Sequence, residues 1–437
     1  MNRQTRKIKE VTEVFCSSRP ITDERFFVGR ENELYGLGRV LLTPCRHATV
    51  FGDRGVGKTS LVKMAVKPFC ENENYKLIEY KCTRGDTPAS LIHKLLSRTN
   101  NLITDSKSTK TYKHNLAAKA KFYLAEGGVD TSRGENIETT HLLKQQLNPD
   151  YVATSLQKAK VVYFLDEFDL VDDNNSISFL SELMKASSDY DSKLKLVLSG
   201  VTNSFGQLFA SHASISRCLE SFELPCMNDN ELRMIIENGL EAVRLSFDDD
   251  LKDCIVWLSS GLPYFTHLLC EEITINAIFH ERTTASKEDL FFVIKDVMKN
   301  ITGAAAIEYT AMEEMKGTPK FLSFADSISV RPTPTPTEIK RYVIHSMALL
   351  YGRDTEAILN MYHRLFTLTG AWLPEDYAYE SEGQLESVLR EIFQQSKLLV
   401  QSDDEFKFGN PFYRAYSLLQ CANEIGLSFL DLLDDIR

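Results

Sequence analysis

The chain has 437 residues, an apolar fraction of 43%, nine cysteines and a formal net charge of −11. Its length exceeds that of an ordinary single domain, so we expect two or three domains with well-filled cores. The acidic balance argues against bulk electrostatic attraction to nucleic acid or anionic membranes, and no apolar run reaches the roughly 18 residues of a membrane span. Scattered cysteines without a C-x-x-C pair favour core thiols in a reducing, cytoplasmic compartment over a metal site.

The first 25 residues are predicted to be an N-terminal extension. Residues 1–9 are basic and lack the apolar stretch of a secretory signal. We expect this segment to be a mobile or partner-dependent arm.

The strongest motif is G-D-R-G-V-G-K-T at residues 52–59, preceded by a short apolar run and followed by a helical pattern. A strand, a glycine loop and a helix N-terminus in this order form a phosphate cradle, because glycines let successive backbone N–H groups point inward. We expect Lys58 to reach the β- and γ-phosphates of a nucleoside triphosphate and the Thr59 hydroxyl to bind Mg²⁺. The residues expected to contact the nucleotide here are Asp53, Arg54, Gly55, Val56, Gly57, Lys58, Thr59 and Ser60.

Residues 26–227 alternate strand-like apolar runs with helical patterns, which predicts an α/β fold with a parallel sheet covered by helices. The predicted strands are residues 49–52, 77–82, 161–166 and 194–200. All but the second end at residues expected to form the site, because ligands of such sheets bind beyond the carboxyl ends of the strands.

The third predicted strand ends in two acids that complete the nucleotide site. Downstream of a phosphate loop, this pattern predicts a Walker B strand, in which Asp166 holds the Mg²⁺ and its water shell. Glu167 would accept a proton from the attacking water. Asp169, one helical turn further on, is either a third site residue or only a cap.

A polar residue just past the fourth strand would orient the lytic water or sense the γ-phosphate. Asn203 is the predicted residue, and Thr202 is the alternative. An ordinary turn asparagine explains the pattern about equally well.

Several motifs together resemble AAA+ and STAND P-loop ATPases, including archaeal-type ATPases and origin-recognition initiators. The segment V-G-R-E-N-E-L at residues 28–34 is similar to the family element bordering the adenine, so Val28 and Gly29 are implied to contact the base. The resemblance further implies an αβα core, a helical lid, a C-terminal winged helix and ATP rather than GTP. It also places Arg217 where the family carries an arginine finger, which would act on a neighbouring protomer. A surface ion pair is the alternative role of Arg217.

Residues 228–316 show helical periodicity at 230–236, 251–258 and 264–279, and a capping pattern at 286–289 precedes another helix. Strand signals are missing, so we expect a small helical bundle as the lid. The stretch S-G-L-P-Y at residues 260–264 carries no arginine, where typical AAA+ lids place one on the γ-phosphate. It resembles the G-x-P element of STAND switches, which implies that Pro263 contacts the nucleotide. Without that charge, slow turnover is expected.

A proline- and threonine-rich segment, residues 317–337, is predicted to be a stiff linker that forms no helix or central strand. Beyond it, residues 338–437 show helical patterns at 338–350, 355–365 and 384–394. Strand-like runs at 397–400 and 406–408 then flank a turn. Helices followed by a hairpin predict a winged-helix-like domain.

Two features bear on nucleic acid binding. Lys107, Lys110 and Lys113 form a basic stretch with an aromatic residue, roughly where initiator ATPases carry a DNA-touching insertion. Against this, the winged-helix-like domain has nine basic and sixteen acidic residues from residue 336 onward, a formal charge of −7. A surface of that sign repels a duplex, so this domain is expected to pack on the lid or on a protein partner. The C-terminal residues 425–433 are either a docking helix or part of that packing.

The sequence therefore favours an ATP-binding, slowly hydrolysing ATPase, with ATP and Mg²⁺ as cofactors, that acts as a nucleotide-controlled switch signalling to a partner protein or through self-association. An initiator- or transposition-type ATPase that loads onto DNA is the alternative. A scaffold that holds nucleotide without turnover is the third possibility.

Overall fold

The structure is a computed structural model that describes residues 3–99, 148–171, 173–201, 215, 217–300, 336–350, 355–369, 382–396, 398–402, 405–426 and 428–436. It divides into two compact units. The sheet unit comprises Pro20–Asp53 and Gly57–Pro225, and the helical unit comprises Met1–Arg19, Arg54–Val56 and Cys226–Arg437. Helices and strands are numbered along the whole chain, beginning with α1 (Arg3–Val14) in the helical unit.

The sheet unit alternates strands and helices. Its elements in chain order are α2 (Glu31–Leu42), β1 (His47–Gly52), α3 (Lys58–Glu73), β2 (Lys76–Lys81), α4 (Pro88–Thr99), α5 (Pro149–Ser155), β3 (Val161–Asp166), α6 (Asn174–Asp189), β4 (Leu194–Gly200) and β5 (Leu219–Leu224). The strands form one sheet in the order β2-β3-β4-β1-β5, and every pairing is parallel. The predicted α/β fold class with a parallel sheet is confirmed.

The four predicted strands are all present, two of them with the predicted bounds. The fifth strand, β5, was not predicted, because its sequence L-E-S-F-E-L has neither an apolar run nor a regular alternation of polar and apolar residues. It lies at the edge of the sheet and pairs with β1. β3 and β4 lie inside the sheet, and their apolar sequences match their burial on both faces.

Polar side chains cap two helices of the sheet unit at their first turns. The Asn148 side chain accepts hydrogen bonds from the backbone N–H groups of Asp150 and Tyr151, and Pro149 occupies the first turn of α5. Asp173 caps α6 in the same way. These caps satisfy backbone donors that have no partner within the helix.

The helical unit is built around α1 and four helices that follow the sheet unit. They are α7 (Asp229–Val243), α8 (Asp249–Ser259), α9 (Pro263–Phe279) and α10 (Asp289–Asn300). The helices were predicted, but the bundle is not purely helical, since β6 (Ser246–Phe247) and β7 (Thr284–Ala285) pair in parallel. Two-residue strands leave no periodic signal in a sequence.

The expectation of a mobile N-terminal arm is wrong for residues 3–16. α1 packs against α7 and α9, and Val11 and Phe15 are fully buried. The basic residues hid an amphipathic helix, in which the apolar positions share one face.

The C-terminal part of the helical unit contains α11 (Pro336–Leu349), α12 (Thr355–Thr369), α13 (Glu382–Gln395), β8 (Leu399–Ser402), β9 (Glu405–Phe408), α14 (Pro411–Ile425) and α15 (Ser428–Ile436). The predicted helices and the antiparallel hairpin β8–β9 are confirmed. The assignment as a winged helix stays a prediction. The linker was expected to extend to residue 337, but Pro336 already begins α11, because proline is tolerated in a first helical turn. The rest of the linker, residues 317–335, lies outside the described residues.

α14 packs on α8 and α10, which agrees with the expected packing of the C-terminal module on the lid. The Phe412 ring lies 4.7 Å from the Phe265 ring between centroids, and Arg414 donates a hydrogen bond of 3.0 Å to the Ser260 hydroxyl. α15 buries Phe429 and Leu432 within the same unit. The C-terminal apolar segment therefore contributes to packing in this unit.

Across the described ranges, no helix combines the length and the apolar character that crossing a membrane requires.

Candidate functional site

The site of the sheet unit lies at the carboxyl ends of its strands. β3, β4 and β1 are adjacent and parallel, so the residues that follow them meet at one edge of the sheet. The glycine loop follows β1, and Asp166 ends β3. This is the edge at which open parallel sheets bind ligands.

Two glycines shape the start and the end of the loop. Gly52 has φ +152°, and a Cβ there would lie 2.3 Å from the Leu224 carbonyl oxygen of the neighbouring strand. Gly57 has φ +98° and is the N-cap of α3, so the loop turns into the helix through a left-handed conformation. Any other residue would be strained at both positions.

Lys58 lies over the loop that precedes it. Its ammonium donates hydrogen bonds to the carbonyl oxygens of Gly52 at 2.8 Å and Asp53 at 2.7 Å. Burial raises the pKa of the Asp53 carboxyl, while the nearby Lys58 charge lowers it and Glu223 raises it further. The cation is thus held at the mouth of the loop, beside the N-terminus of α3.

Asp166 is the centre of a cluster of oxygen atoms. The Thr59 hydroxyl lies 3.0 and 3.2 Å from its two carboxylate oxygens. The Ser199 hydroxyl also donates to the carboxylate, and the Glu167 backbone N–H donates at 3.1 Å. Hydroxyl and carboxylate oxygens are the ligands that Mg²⁺ takes from proteins, so Thr59 and Asp166 fit the predicted metal.

Ser199 was missed by the sequence interpretation. It is the only uncharged polar residue in the strand L-K-L-V-L-S-G, which was a usable signal. Its closeness to Asp166 follows from the register of β3 and β4, in which Leu165 pairs with Leu198.

Glu167 has a left-handed backbone, with φ +54°, and its carboxylate forms an ion pair of 3.0 Å with Lys81. Lys81 ends β2, where it pairs with Asp166 across the sheet. The second strand, which was not expected to end at a site residue, thus ends beside Glu167. Lys81 was missed because a lysine at a strand end is common, and its partner depends on strand order.

Of the other predicted residues just past the ends of β3 and β4, the structure describes only Asp169. The Asp169 carboxylate accepts a hydrogen bond of 3.2 Å from the Val201 backbone N–H, so it holds the chain that leaves β4. The predicted sensor Asn203 and its alternative Thr202 lie outside the described residues.

The predicted adenine-bordering segment begins at a buried Val28, and Gly29 has φ +72°. Arg30 follows and is only 3% exposed; it donates a hydrogen bond of 2.5 Å to the Pro225 carbonyl oxygen. Nearby, the Ile21 backbone N–H donates at 3.1 Å to the hydroxyl of Ser60 in α3. These contacts tie residues 21–30 to the end of β5 and to the first turn of α3.

Pro263 and the loop residues Arg54–Val56 belong to the helical unit. Pro263 begins α9 after a turn in which Ser260 and Gly261 have positive φ values of 50° and 80°. The next residue, Tyr264, donates a backbone hydrogen bond of 3.4 Å to the Gly55 carbonyl oxygen. Within the helical unit, the turn before α9 therefore contacts the segment Arg54–Val56.

Arg217 is exposed and precedes β5 by two residues. It lies at the amino ends of the parallel strands, opposite the glycine loop. A six-residue strand spans about 20 Å, so this side chain and the phosphate cradle of its own chain are far apart.

Helix α13 of the winged-helix-like domain places two of its charged residues in contacts within the helical unit. Glu391 pairs with Lys340 at 2.6 Å, and the Arg390 guanidinium lies 6.0 Å from the centroid of the Phe406 ring. The lysine stretch 107–113 lies outside the described residues, so the DNA-binding alternative stays a prediction.

Residues 20–277, more than half of the chain, match the family described as Novel STAND NTPase 1. No curated protein matches the chain. Among solved structures, the Walker-type ATPase PABY2304 of Pyrococcus abyssi is similar at 16% identity, covering 93% of this chain and 99% of that one, with a TM-score of 0.49. The Aeropyrum pernix ORC2 protein is similar at 14% identity, covering 97% of this chain and 98% of that one, with a TM-score of 0.47. Cdc6p from Pyrobaculum aerophilum is similar at 14% identity, covering 98% of this chain and 99% of that one, with a TM-score of 0.47.

Proposed function

Because the chain belongs to the Novel STAND NTPase 1 family, we propose that it binds ATP with Mg²⁺, hydrolyses it slowly and acts as a nucleotide-controlled switch. The identity of the nucleotide sets the conformation or assembly of the protein, and a partner protein or a second copy reads it. The observation that carries this proposal is the placement of Lys58, Thr59 and Asp166 at one edge of the parallel sheet.

The triphosphate lies in the glycine loop. Backbone N–H groups from Asp53 to Ser60 surround the phosphates, and the N-terminus of α3 adds partial positive charge. Lys58 exchanges its two carbonyl acceptors for phosphate oxygens, since a charge-assisted hydrogen bond is stronger than one to a neutral carbonyl. Val28, Gly29 and Pro263 border the base.

Thr59 and Asp166 hold the Mg²⁺, which neutralises charge on the phosphates when it is bound. The hydrogen bonds that Asp166 accepts from Ser199 and from the Glu167 N–H fix the orientation of its carboxylate. Such supporting contacts normally tune how well a ligand residue holds a metal. We assign Ser199 this supporting role.

Glu167 is the general base that accepts a proton from the attacking water, and Asn203 orients that water. The carboxylate of Glu167 is 35% exposed and carries the ion pair with Lys81. The attacking water must compete with Lys81 for the lone pairs of the Glu167 carboxylate. This competition is consistent with slow turnover.

A single chain supplies few positive charges that could stabilise the transition state of hydrolysis. The turn at residues 260–264 contains no arginine. Arg217 lies at the amino edge of its own sheet and is exposed, so it reaches a phosphate only as part of a neighbouring protomer. Hydrolysis therefore accelerates on assembly, and slow hydrolysis in the isolated chain gives the nucleotide time to act as a latch.

Single-turnover hydrolysis of labelled ATP tests the roles of the carboxylates. Glu167→Gln should bind ATP as tightly as wild type and lower the hydrolysis rate at least 100-fold, because the base is lost. Glu79→Gln, which removes a carboxylate paired with Lys63 on α3, is the control and should hydrolyse normally. Loss of ATP affinity in Glu167→Gln would show that the carboxylate roles are misassigned. A wild-type protein that never cleaves bound ATP would be a scaffold instead.

Native mass measurement tests the switch. With a non-hydrolysable ATP analogue, the Glu167→Gln protein should form a larger species or show altered hydrogen exchange in the helical unit. Arg217→Ala should assemble like wild type but lose any acceleration of hydrolysis on assembly. Identical mass and identical exchange with ADP and with the analogue would remove the switch proposal.

A further inference from the structure

The sheet unit has a second concave site at the opposite edge of its sheet, which we call the amino-edge pocket. It has a cavity volume of about 70 Å³, and the residues lining it include Leu42, Cys45, Phe69, Tyr75 and Lys195. These residues precede β1 or β2, lie near the end of α3 or, in the case of Lys195, lie at the start of β4. The phosphate cradle lies at the other end of α3, a helix of 16 residues and therefore about 24 Å long.

The inner side of the amino-edge pocket carries a buried positive charge. Lys195 is 3% exposed, and its ammonium donates to the Thr43 carbonyl oxygen. Within the described ranges, this carbonyl is the only acceptor recorded for its three donors, and no carboxylate pairs with it. A buried ammonium without a counter-ion is costly, because its hydration is lost and nothing of opposite charge replaces it.

The other charged groups around the pocket are engaged or exposed. The Asp191 carboxylate accepts a hydrogen bond of 3.4 Å from the Cys45 thiol and lies 4.0 Å from the Lys193 ammonium. Glu73 is exposed at the rim. Burial lowers the pKa of Lys195 to about 8, with a further lowering by Lys193 and an opposing contribution from Cys45, which agrees with a cation that lacks a partner.

The outer wall of the pocket is apolar and aromatic. The rings of Phe69 and Tyr75 lie 4.7 Å apart between centroids, and Leu42 is 65% exposed at the rim. Lys160 lies 5.5 Å from the centroid of the Tyr75 ring and donates to the Glu73 carbonyl oxygen, which holds the ring in place. An exposed leucine beside two aromatic rings offers apolar area to a ligand.

We propose that the amino-edge pocket binds a small organic carboxylate, with the anionic end at Lys195 and the apolar body against the aromatic pair Phe69 and Tyr75. One negative charge on an apolar body matches one buried cation behind an apolar wall. The exposed Glu73 and Lys193 at the rim carry opposite charges, so the buried Lys195 supplies the net charge of the pocket. This site is separate from the nucleotide site, and its ligand should bind whether or not nucleotide is present.

Calorimetric titration of the full chain with benzoate tests the proposal, with benzamide as the uncharged probe of the same shape. Benzoate should bind saturably, with and without Mg-ADP, and at least tenfold more tightly than benzamide. Lys195→Met should weaken benzoate binding at least tenfold. Lys158→Met, which removes an exposed lysine outside the pocket, is the matched control and should bind like wild type.

Leu42→Glu gives an independent check, because residue 42 is exposed and the substitution leaves the core intact. The new carboxylate at the rim should weaken benzoate binding several-fold by charge repulsion. The proposal is overturned by benzoate that does not bind saturably, by equal affinity for benzamide, or by unchanged binding in both Lys195→Met and Leu42→Glu.

Discussion

Glu167 and Lys81 form an ion pair at the edge of the nucleotide site, and Lys81 is 71% exposed. An exposed pair of this kind contributes about 0.2–1 kcal/mol, so its removal should free the carboxylate at little cost to stability. We expect Lys81→Met to raise the rate of ATP hydrolysis about 1.4- to fivefold, the factor that corresponds to that energy. Steady-state phosphate release at saturating Mg-ATP measures it.

Lys76→Met, at the far end of the same strand, is the control and should leave the rate unchanged. A rate in Lys81→Met as low as that of Glu167→Gln would mean that Lys81 contacts the reacting phosphates. An unchanged rate would mean that the ion pair is irrelevant to turnover.

The site residues that the sequence could predict are those adjacent in the chain to a recognisable motif. The Thr59 hydroxyl contacts the Asp166 carboxylate as expected, because the two motifs follow β1 and β3 at the same edge of the parallel sheet, with only β4 between them. Ser199 and Lys81 reach Asp166 and Glu167 only through strand order and register. The only sequence signal for Ser199 is its place as a serine in an otherwise apolar stretch of strand, and Lys81 has none.

At the scale of helices, the packing of α1 depends on a glycine of α7. A Cβ at Gly239 would lie 2.3 Å from two carbon atoms of the Phe15 ring. Gly239→Ala should therefore destabilise the protein by about 1–3 kcal/mol through overpacking, less a gain of up to about 1 kcal/mol in helix propensity. Urea unfolding monitored by circular dichroism measures the change.

Gly38 of α2 is the matched control, since a Cβ there has no neighbour within 4 Å. Gly38→Ala should be neutral or stabilising by up to about 1 kcal/mol. Adding Phe15→Leu should rescue Gly239→Ala in part, because the shorter side chain relieves the clash. Equal stability of Gly38→Ala and Gly239→Ala would contradict the packing of α1 on α7.

Long periodic segments were predictable at this scale, and short or weakly apolar ones were not. The helices α7 to α10 follow clear apolar periodicity and were expected. α1 was not predicted because its basic residues obscure its apolar face, and β5 because its polar residues interrupt any apolar run. In each case tertiary packing, against α9 or along β1, supplies what the local sequence does not.

The stability of the protein at low pH depends on both units, because each contains at least one buried histidine. Burial lowers the pKa of His47 to about 3, of His267 to about 4 and of His345 to about 3; Lys195 and Arg341 add to the effect at His47 and His345. The folded state therefore favours the neutral rings. Their stabilising contribution is complete above the unfolded pKa of about 6.5 and is lost as pH falls toward 3–4.

Each of these histidines should lower the free energy of unfolding by about 1.4 kcal/mol at pH 5.5 relative to pH 7.5 or above. His267→Leu should reduce the loss of unfolding free energy between pH 7.5 and 5.5 by about that amount, while His280→Leu, which replaces an exposed histidine, should not. Denaturant unfolding at both pH values measures it. The same pH dependence in wild type and His267→Leu would show that the ring is not buried in a neutral form.

The central claim is that the chain holds a triphosphate between Lys58 and the Thr59–Asp166 pair. Calorimetric titration with Mg-ATP tests it most directly, comparing wild type with Lys58→Ala and with Lys63→Ala, which removes a lysine of the same helix that pairs with Glu79. Wild type and Lys63→Ala should bind with equal affinity, and Lys58→Ala should bind at least tenfold more weakly. Equal binding by Lys58→Ala, or no binding by wild type, would contradict the account.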